Sequence, residues 1–523
     1  MKATEIRSAG VFFRRAGVTA GLLCAVLSGR AEYKINYSAE ILGNVGDGTF
    51  APSYIAANRH GVLTQTNTIL FRGGLFRPWQ TDSRFSYGWG VDLIGDYANA
   101  TAYRRYFYNP TSGKGSWDDN HQRPQGFWIQ QLYGEMRYRG VFLTAGLKER
   151  KPALLNYRLS SGDLVESGNS RPVPEVRVGF TDFQNIPFTN GWVQIQGEIS
   201  YGKLTDNGWL KNHFNYYTGH INLGALYSYK RCYFRTNPMK PFSATVGMQV
   251  GAMFGGTTSW YSQGKLTDSR TFSRGIKEFF RMLVPKDGGD SYYSGSSLGS
   301  WDVHLRYWLR NGATVSAYMQ KPWEDGSGIG FLNGFDGLWG LEYKAAFPGV
   351  VSGAVLEYID FTNQSGPMHW DPDDAGGSSI STRGEGADDY YNNHEYNSWA
   401  YYGMSIGTPF LPAPIYNRDG YLGFVNNRVR GFHVGVEGEP MRGLRYRLLG
   451  GYKKGWGSGY VPSVGSTHNT SLMAEVGYTS DRVEGLSISA QVGFDTGTML
   501  GDHVGGSIGI RYCGDFTLGK KKQ

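Results

Sequence analysis

Cysteine and charge are both scarce in this chain of 523 residues. It has three cysteines, and charged residues make up 18% of it, against a usual share of about a quarter. Three cysteines cannot build a disulfide framework, and the sequence leaves open whether Cys232 and Cys513 pair. The first 31 residues carry five basic side chains and one acidic one, so the rest of the chain has a net charge of +4. This small imbalance gives no sign of nucleic-acid binding.

Long apolar runs are also missing. The mean hydropathy of −0.40 excludes a bundle of transmembrane helices. One apolar run, Ala16–Ser28, follows two arginines and is too short to span a bilayer. It has the length of the hydrophobic part of a secretory signal peptide, and small residues that suit cleavage follow it. We expect residues 1–31 to be a signal peptide cleaved near Ala31, and residues 32–523 to form one domain.

The chain is instead rich in glycine and in aromatic residues, and its apolar residues recur with a period of two. It has 76 glycines and 15% aromatic residues. In Val193–Tyr201 and Leu486–Phe494, apolar side chains alternate with Ser, Gln and Glu. Such alternation predicts strands with one apolar and one polar face. The pattern alone does not say which face is inside, because a soluble β-sandwich would bury the apolar faces and a membrane barrel would turn them to lipid.

Short turns join these strands in pairs. The pairs are Phe127–Tyr138 with Val141–Leu147, Val303–Leu309 with Ala313–Lys321, Trp339–Ala346 with Val350–Phe361, and Leu472–Ser480 with Leu486–Phe494. Longer polar stretches lie between pairs, at 109–126, 361–398 and 455–470. Short turns at one end and long loops at the other are typical of outer-membrane barrels. With the signal peptide, they predict an all-β fold, a transmembrane antiparallel β-barrel whose last strand is Val504–Phe516.

One segment near 272–284 breaks the alternation. Ile276, Phe279, Phe280 and Leu283 recur at helical spacing, and Pro285 stops the run. We expect one short helix there, packed against the rim or inside the lumen. The alternative is a helix that lies on the membrane surface or binds a partner.

Motifs for catalysis and metal binding are weak. G-x-S-x-G occurs at Gly295–Gly299, Gly403–Gly407 and Gly505–Gly509, but none of the three lies at the strand-to-helix turn that exposes a nucleophilic serine. The ten histidines show no metal-ligand spacing. The acidic patch at Asp371, Asp373 and Asp374 could hold Ca²⁺, although a solvated loop is the favoured interpretation. We expect no enzyme activity, no metal and no cofactor.

The segment Asp388–Tyr402 differs from the rest because it packs five tyrosines and a tryptophan among Asn, Asp and His. Flat aromatic faces beside amides and carboxylates suit sugar rings. The alternatives are an aromatic girdle at the membrane interface and packing of a loop in the lumen. The candidate glycan-binding residues are Tyr390, Tyr391, His394, Tyr396, Trp399, Trp370 and Asp371.

Several segments together resemble the Wzi family of capsule-assembly proteins. They are Leu159–Gly168, Asn169–Gly179, Asp182–Glu198, Ser297–Leu309, Ser405–Phe410 and Asn426–Gly435. The DDYYNN run that begins at Asp388 also belongs to them. The Asn-x-Arg-Pro-x-Pro and Ile-Pro-Phe-Thr runs are the most specific. The resemblance extends from about residue 146 to about residue 460.

The resemblance implies a barrel of about 18 strands in the outer membrane of a Gram-negative bacterium, plugged by its own loops. It implies a lectin-like protein that binds capsular polysaccharide or exopolysaccharide and assists capsule assembly or attachment. The expected partners are that polysaccharide and outer-membrane lipid, without nucleic acid, and the expected state is a monomer. Members can carry an N-terminal helical bundle that plugs the periplasmic end. Here alternation begins already at Tyr33–Leu42, so we expect the bundle to be absent.

Two further interpretations remain. The main alternative function is a porin or substrate-specific channel, which would need an open lumen.

Within the Asn-x-Arg-Pro-x-Pro run, Pro172 and Pro174 lack the N–H that a strand centre needs, so they mark the start of a strand. We expect Arg171 and Arg177 to lie in the lumen and to pair with inward carboxylates such as Glu198.

Overall fold

The backbone closes on itself as an antiparallel barrel of 18 strands. A computed structural model describes residues 33–281, 295–367, 369–370, 384–385 and 387–518. Each strand pairs with its neighbour in sequence order, and the first strand pairs with the last from Tyr33↔Leu518 to Asp47↔Val504. Because closure leaves no strand edge, every backbone group in the wall has a partner.

The strands of the wall are numbered β1 to β18 in chain order. They are β1 Tyr33–Asp47, β2 Thr68–Arg77, β3 Phe85–Ala98, β4 Phe127–Tyr138, β5 Val141–Leu147, β6 Glu175–Phe180, β7 Val193–Lys203, β8 Leu226–Thr236, β9 Phe242–Phe254, β10 Gly295–Trp308, β11 Thr314–Trp323, β12 Gly337–Lys344, β13 Gly353–Asp360, β14 Val429–Met441, β15 Leu444–Gly457, β16 Pro462–Thr479, β17 Leu486–Thr496 and β18 His503–Leu518. The four predicted hairpins and the last strand are confirmed, although β10 begins eight residues and β16 ten residues before the predicted starts.

Smaller elements extend the loops. A hairpin of Thr101–Asn109 with Lys114–Gln122 and a small sheet of Gly219–Leu223, Thr257–Ser262 and Lys265–Thr271 stand beyond the wall. The two-residue strands are Gln184–Asn185, His369–Trp370, Gly384–Glu385, Ala400–Tyr401 and Met404–Ser405. The short helices are α1 Ser53–Ala56, α2 Asn207–His213, α3 Ile276–Arg281 and α4 Gly326–Ile329, with a 3-10 turn at Pro414–Tyr416. Among the described residues, no helix is long and apolar enough to cross a membrane.

The two faces of the wall have opposite character. On β14, His433 points inward and is 1% exposed, while its neighbour Val434 points outward and is 44% exposed. On β17, Gln491 and Asp495 are buried and Val492 is exposed. The apolar face is therefore outside, as in a barrel surrounded by lipid, and the sandwich interpretation is wrong. Cys232 and Cys513 are both free thiols.

Two of the stretches predicted as loops contain strands. Lys114–Gln122 forms half of a hairpin, and β16 begins at Pro462 inside the stretch 455–470. Both segments are almost wholly exposed, so both faces meet water and neither needs apolar residues. The period-two signal requires one apolar and one polar face. These two segments have no apolar face, so their sequences do not show the signal.

The helix predicted near 272–284 is present in shorter form as α3. The ring of Phe279 packs edge-on against Tyr201 of β7, with 5.4 Å between the ring centroids. The helix therefore lies at the rim, as expected. Leu283 and Pro285, which completed the predicted pattern, lie outside the described residues. The three other short helices were not predicted.

Three connections from the long-loop end fold into the lumen and fill it. They are residues 48–67, 148–174 and the described parts of 361–428. Their apolar side chains, among them Ile55, Leu159, Val165, Tyr390 and Phe424, are essentially buried. The hydrophobic core of this protein thus lies inside the barrel, and the loops supply much of it. We call these three segments the plug.

Candidate functional site

The plug is tied to the barrel wall at the centre of the lumen. Asp163 accepts hydrogen bonds from Gln249 of β9, at 2.9 Å to each carboxylate oxygen, and from Gln320 of β11 at 2.7 Å. Its own loop also donates, through the Val165 amide at 2.9 Å. Burial raises the pKa of Asp163, while these hydrogen bonds oppose that rise. A buried carboxylate with this many donors fixes the loop to two strands of the wall.

Arg177 makes a second attachment, from β6 of the wall. Its guanidinium donates to both oxygens of Glu166 in the plug, each at 3.0 Å. It also donates to Glu175 and to Glu198, each at 2.8 Å. The expected pairing of Arg177 with Glu198 is confirmed, and β6 starts at Glu175, directly after the two prolines. The charges of the plug and the wall are thus matched in a buried cluster.

Four of the candidate glycan-binding aromatics belong to this packing. Tyr390, Tyr391, Tyr396 and Trp399 are each at most 3% exposed. The Tyr390 hydroxyl donates to Asp336 at 3.2 Å. The structure therefore supports loop packing in the lumen for these four residues, and it corrects the expectation that they face a sugar.

Two of these aromatics also hold the plug segments to each other. The Tyr391 hydroxyl donates to the Leu164 carbonyl oxygen, and Trp399 Nε1 donates to the Val165 carbonyl oxygen at 2.9 Å. Tyrosine and tryptophan pack well in such a place because their polar ends find hydrogen-bond partners when buried.

The other three candidates have different positions. His394 is exposed on the loop surface, and its carbonyl oxygen accepts a hydrogen bond from Trp260 at 3.3 Å. Trp370 pairs through its backbone with Gly384, and its side chain is not described. Asp371 lies outside the described residues, as do Asp373 and Asp374 of the acidic patch.

A cavity of about 460 Å³ opens at the long-loop end beside the plug. Five separate connections and three strands bring its lining together. The side chains that matter for recognition are Trp128, Trp209, Tyr402, Arg123, Arg171, Asp96, Asn120, Gln122, Gln125 and Asn212. The sequence predicted such a combination of aromatic, amide and charged groups in Asp388–Tyr402. Of that segment, only Tyr402 lines the cavity.

Arg171 occupies the centre of one cavity wall. Its guanidinium carbon lies 4.1 Å from the ring centre of Trp128 and 4.5 Å from that of Tyr402. Its Nη1 donates to Gln125 Oε1 at 2.9 Å. The expectation that Arg171 pairs with an inward carboxylate is wrong, because aromatic rings and an amide are its contacts. Burial lowers the pKa of Arg171, but an arginine stays charged at any physiological pH.

The rings around the cavity are held by neighbouring loops. Asp206 accepts a hydrogen bond from the Tyr402 amide at 3.0 Å, and burial raises the pKa of Asp206 to about 6. Trp209 stacks on His213 with 4.4 Å between ring centroids. Burial lowers the pKa of His213 to about 3, so this imidazole is neutral at pH 7. The aromatic surfaces are therefore fixed before any ligand arrives.

Two buried polar atoms at the cavity have no partner among the described residues. They are Asp96 Oδ1, an acceptor, and Gln122 Nε2, a donor. Buried polar atoms normally have hydrogen-bond partners. An acceptor and a donor left free beside flat aromatic faces can serve a ligand that carries both hydroxyl groups and apolar C–H faces, which is the chemistry of a sugar.

Sequence reasoning missed this cavity as a site. Trp128, Trp209 and Arg171 come from segments that are far apart along the chain, and no local motif joins them. The Asn-x-Arg-Pro-x-Pro run singled out Arg171, but the role predicted for it was pairing with a carboxylate in the lumen. No signal in a single sequence shows that these loops converge.

The comparisons with known proteins show the fold. No family model matches the chain, and no curated protein matches it. Among solved structures, the chain is similar to Wzi of Escherichia coli, described as an outer membrane protein involved in group 1 capsule assembly and a carbohydrate-binding β-barrel. That match has a TM-score of 0.52 and 12% identity, and it covers 91% of this chain and 83% of the other.

Two further solved structures are less similar. OccAB2 of Acinetobacter baumannii has a TM-score of 0.46 and 10% identity, covering 94% of this chain and 100% of its own. OccK3 of Pseudomonas aeruginosa has a TM-score of 0.43 and 11% identity, covering 92% and 96%. The likeness to Wzi, at 12% identity, shows the barrel fold alone.

Proposed function

We propose that this protein is a closed outer-membrane barrel that binds surface polysaccharide at its loop end and helps to assemble or retain a capsule. The observation that carries the proposal is the pairing of a filled lumen with a preformed aromatic and amide cavity outside the plug. An open, water-filled lumen is what a channel requires, and the plug occupies that space with packed side chains.

The orientation of the barrel favours this role. Short turns of outer-membrane barrels lie on the periplasmic side and long loops on the extracellular side. Both described termini lie at the turn end, and the cavity lies at the other end. A ligand outside the cell therefore meets the cavity directly. Many weak contacts along a repeating polymer can add to a useful avidity, so a single cavity of modest affinity suffices.

Two further points support the proposal. The solved structure with the same fold is described as carbohydrate-binding, and several segments of this chain resemble its family. The weak motifs for catalysis favour a role without chemistry, so we propose binding alone, with no cofactor.

The test is binding of purified surface polysaccharide from the source strain to the protein in detergent. Tyr402→Ala and Trp209→Ala should each weaken binding several-fold, because loss of a stacking ring removes roughly 1 kcal/mol or more. Trp308→Ala at the turn end is the matched control and should bind like the wild type. Heat-modifiable gel migration verifies that each variant is a folded barrel. Absence of binding by the wild-type protein, or equal binding by all variants, would contradict the proposal.

A further inference from the structure

Charge in the cavity is unevenly distributed. Its lining contains two arginines, Arg123 and Arg171, and one carboxylate, Asp96. Within the part of the chain that the structure describes, no ion pair shorter than 4.0 Å includes either arginine, and their contacts are with rings and an amide. Asp96 interacts electrostatically with Arg171 from beyond ion-pair distance, and two arginines against this one carboxylate leave the cavity with a net positive charge.

The geometry of Arg171 restricts how a ligand can reach it. A guanidinium is flat, with five N–H donors directed outward in its plane. Trp128 and Tyr402 lie over the guanidinium at 4.1 and 4.5 Å, so the rings take up contacts on its faces. One in-plane donor is used by Gln125. The remaining donors are directed along the edge, and this is the edge that accepts the two oxygens of a carboxylate side by side.

The free atoms of Asp96 and Gln122 complete the pattern. A sugar ring that places its carboxylate on Arg171 also carries hydroxyl groups, which can donate to Asp96 Oδ1 and accept from Gln122 Nε2. The rings of Tyr402 and Trp209 offer flat surfaces for its C–H face. A half-buried arginine without a direct ion pair carries a desolvation cost, and a carboxylate on the ligand offsets that cost.

We propose that the cavity selects an acidic saccharide, a sugar unit of the uronic acid class whose carboxylate binds the edge of Arg171. This inference rests on the proposed function and specifies its ligand. Arg171 is then the residue that distinguishes acidic from neutral polymers, while the aromatic rings contribute affinity for either.

The experiment compares two forms of one probe. Surface polysaccharide purified from the source strain is used as isolated and after carbodiimide and borohydride treatment, which converts its carboxylates to primary alcohols. The wild-type protein should bind the native form about tenfold or more tightly than the reduced form, since hydrogen bonds to charged groups are worth about 1.5–3 kcal/mol. Added salt should weaken binding of the native form and leave the reduced form unchanged.

Variants separate the charge of Arg171 from its shape. Arg171→Gln should lose the preference for the native form and should keep the weaker binding of the reduced form. Arg171→Lys retains a positive charge without the planar fork and should recover part of the preference. Arg105→Gln is the control, because Arg105 also contacts a ring, that of Tyr216 at 4.7 Å, and is not itself part of the cavity lining.

The outcomes are distinguishable from those for the proposed function. Equal binding of native and reduced polymer by the wild-type protein would overturn the inference and leave polysaccharide binding intact. An unchanged preference in Arg171→Gln would also overturn it. If neither form binds, the proposed function fails, and this inference fails with it.

Discussion

Removing the Arg177 side chain should loosen the plug and open the barrel. The guanidinium side chain is 3% exposed and joins Glu166 of the plug to Glu175 and Glu198 of the wall. In Arg177→Gln, three buried carboxylates lose their shared cation. Glu175 and Glu198 keep other arginine partners, at 3.1 and 3.4 Å. Among the described residues Glu166 keeps a hydrogen bond from the Tyr227 hydroxyl at 3.1 Å and the more distant charge of Arg150, but no second direct ion pair, so most of the cost falls on the plug.

The size of this effect follows from the burial of the cluster. Leaving one partner of a buried ion pair unmatched costs about 3–5 kcal/mol. A cost of this size shifts the equilibrium between a docked and an undocked plug by about two to four powers of ten. We expect the wild-type protein to be silent in planar lipid bilayers and Arg177→Gln to show transient openings, together with a lower unfolding temperature in detergent.

A matched substitution controls for the loss of an arginine. Arg445 pairs with Glu439 at 3.3 Å, and its side chain is 63% exposed, so Arg445→Gln should cost at most about 1 kcal/mol. If Arg177→Gln and Arg445→Gln both behave like the wild type in conductance and in unfolding temperature, the argument that this cluster holds the plug is refuted. A wild-type protein that conducts steadily would refute the closed lumen itself.

Three further predictions concern the plug, the lipid-facing wall and pH. A methyl group at Gly435 would lie 2.5 Å from a carbonyl oxygen of the plug, so Gly435→Ala should increase proteolysis of the plug, whereas Gly73→Ala, with open space around it, should not. Val434→Arg places a charge in the lipid-facing belt and should cost about 2–4 kcal/mol, seen as poor assembly into the membrane, while the fully exposed Val464→Arg should assemble normally. Burial, reinforced by a nearby carboxylate, raises the pKa of Asp388 to about 7, so the stability that this group contributes is full below about pH 4 and is lost as pH rises towards 7. Protection factors for amide hydrogen exchange in its loop, which are corrected for the intrinsic pH dependence of exchange, should therefore be lower at pH 8 than at pH 5, and an Asp388→Asn variant with the same difference would contradict this.

The sequence predicted the wall of the barrel well because membrane strands obey a simple rule. Phe127–Tyr138 and Val141–Leu147 were located with the bounds that the structure has, since one face meets lipid and the other meets polar groups. The rule fails outside the membrane. Lys114–Gln122 is a strand with water on both faces, and its composition resembles a loop.

The contents of the lumen could not be predicted in the same way. A segment rich in Tyr, Trp, Asn and Asp has the composition of a sugar-binding surface and equally that of a plug with internal hydrogen bonds. Tyr390 and Trp399 turned out to be buried and bonded to other parts of the plug. The choice between the two depends on where the loop goes, and contacts such as that between Trp399 and the Val165 carbonyl oxygen join residues 234 positions apart.

The cavity was even harder to predict from the sequence than the plug. Arg171 was expected to pair with a carboxylate because a lumen arginine can bind inward carboxylates such as Glu198. Two aromatic rings from distant segments surround it instead. Neither Trp128 nor Tyr402 carries a local signal that marks it as a neighbour of Arg171, so the site became visible only with the fold.

The most direct test of the central claim uses living cells of the source strain. The chromosomal gene is deleted, and the strain then receives a gene for the wild-type protein or for the double variant Trp209→Ala with Tyr402→Ala. Each protein is verified as a folded barrel at equal abundance. Surface polysaccharide is then measured on the cells and in the culture medium. We expect the wild-type protein to keep the polymer on the cells, and the deletion and the double variant to release it into the medium. Full retention by the double variant, or by the deletion strain, would contradict the account.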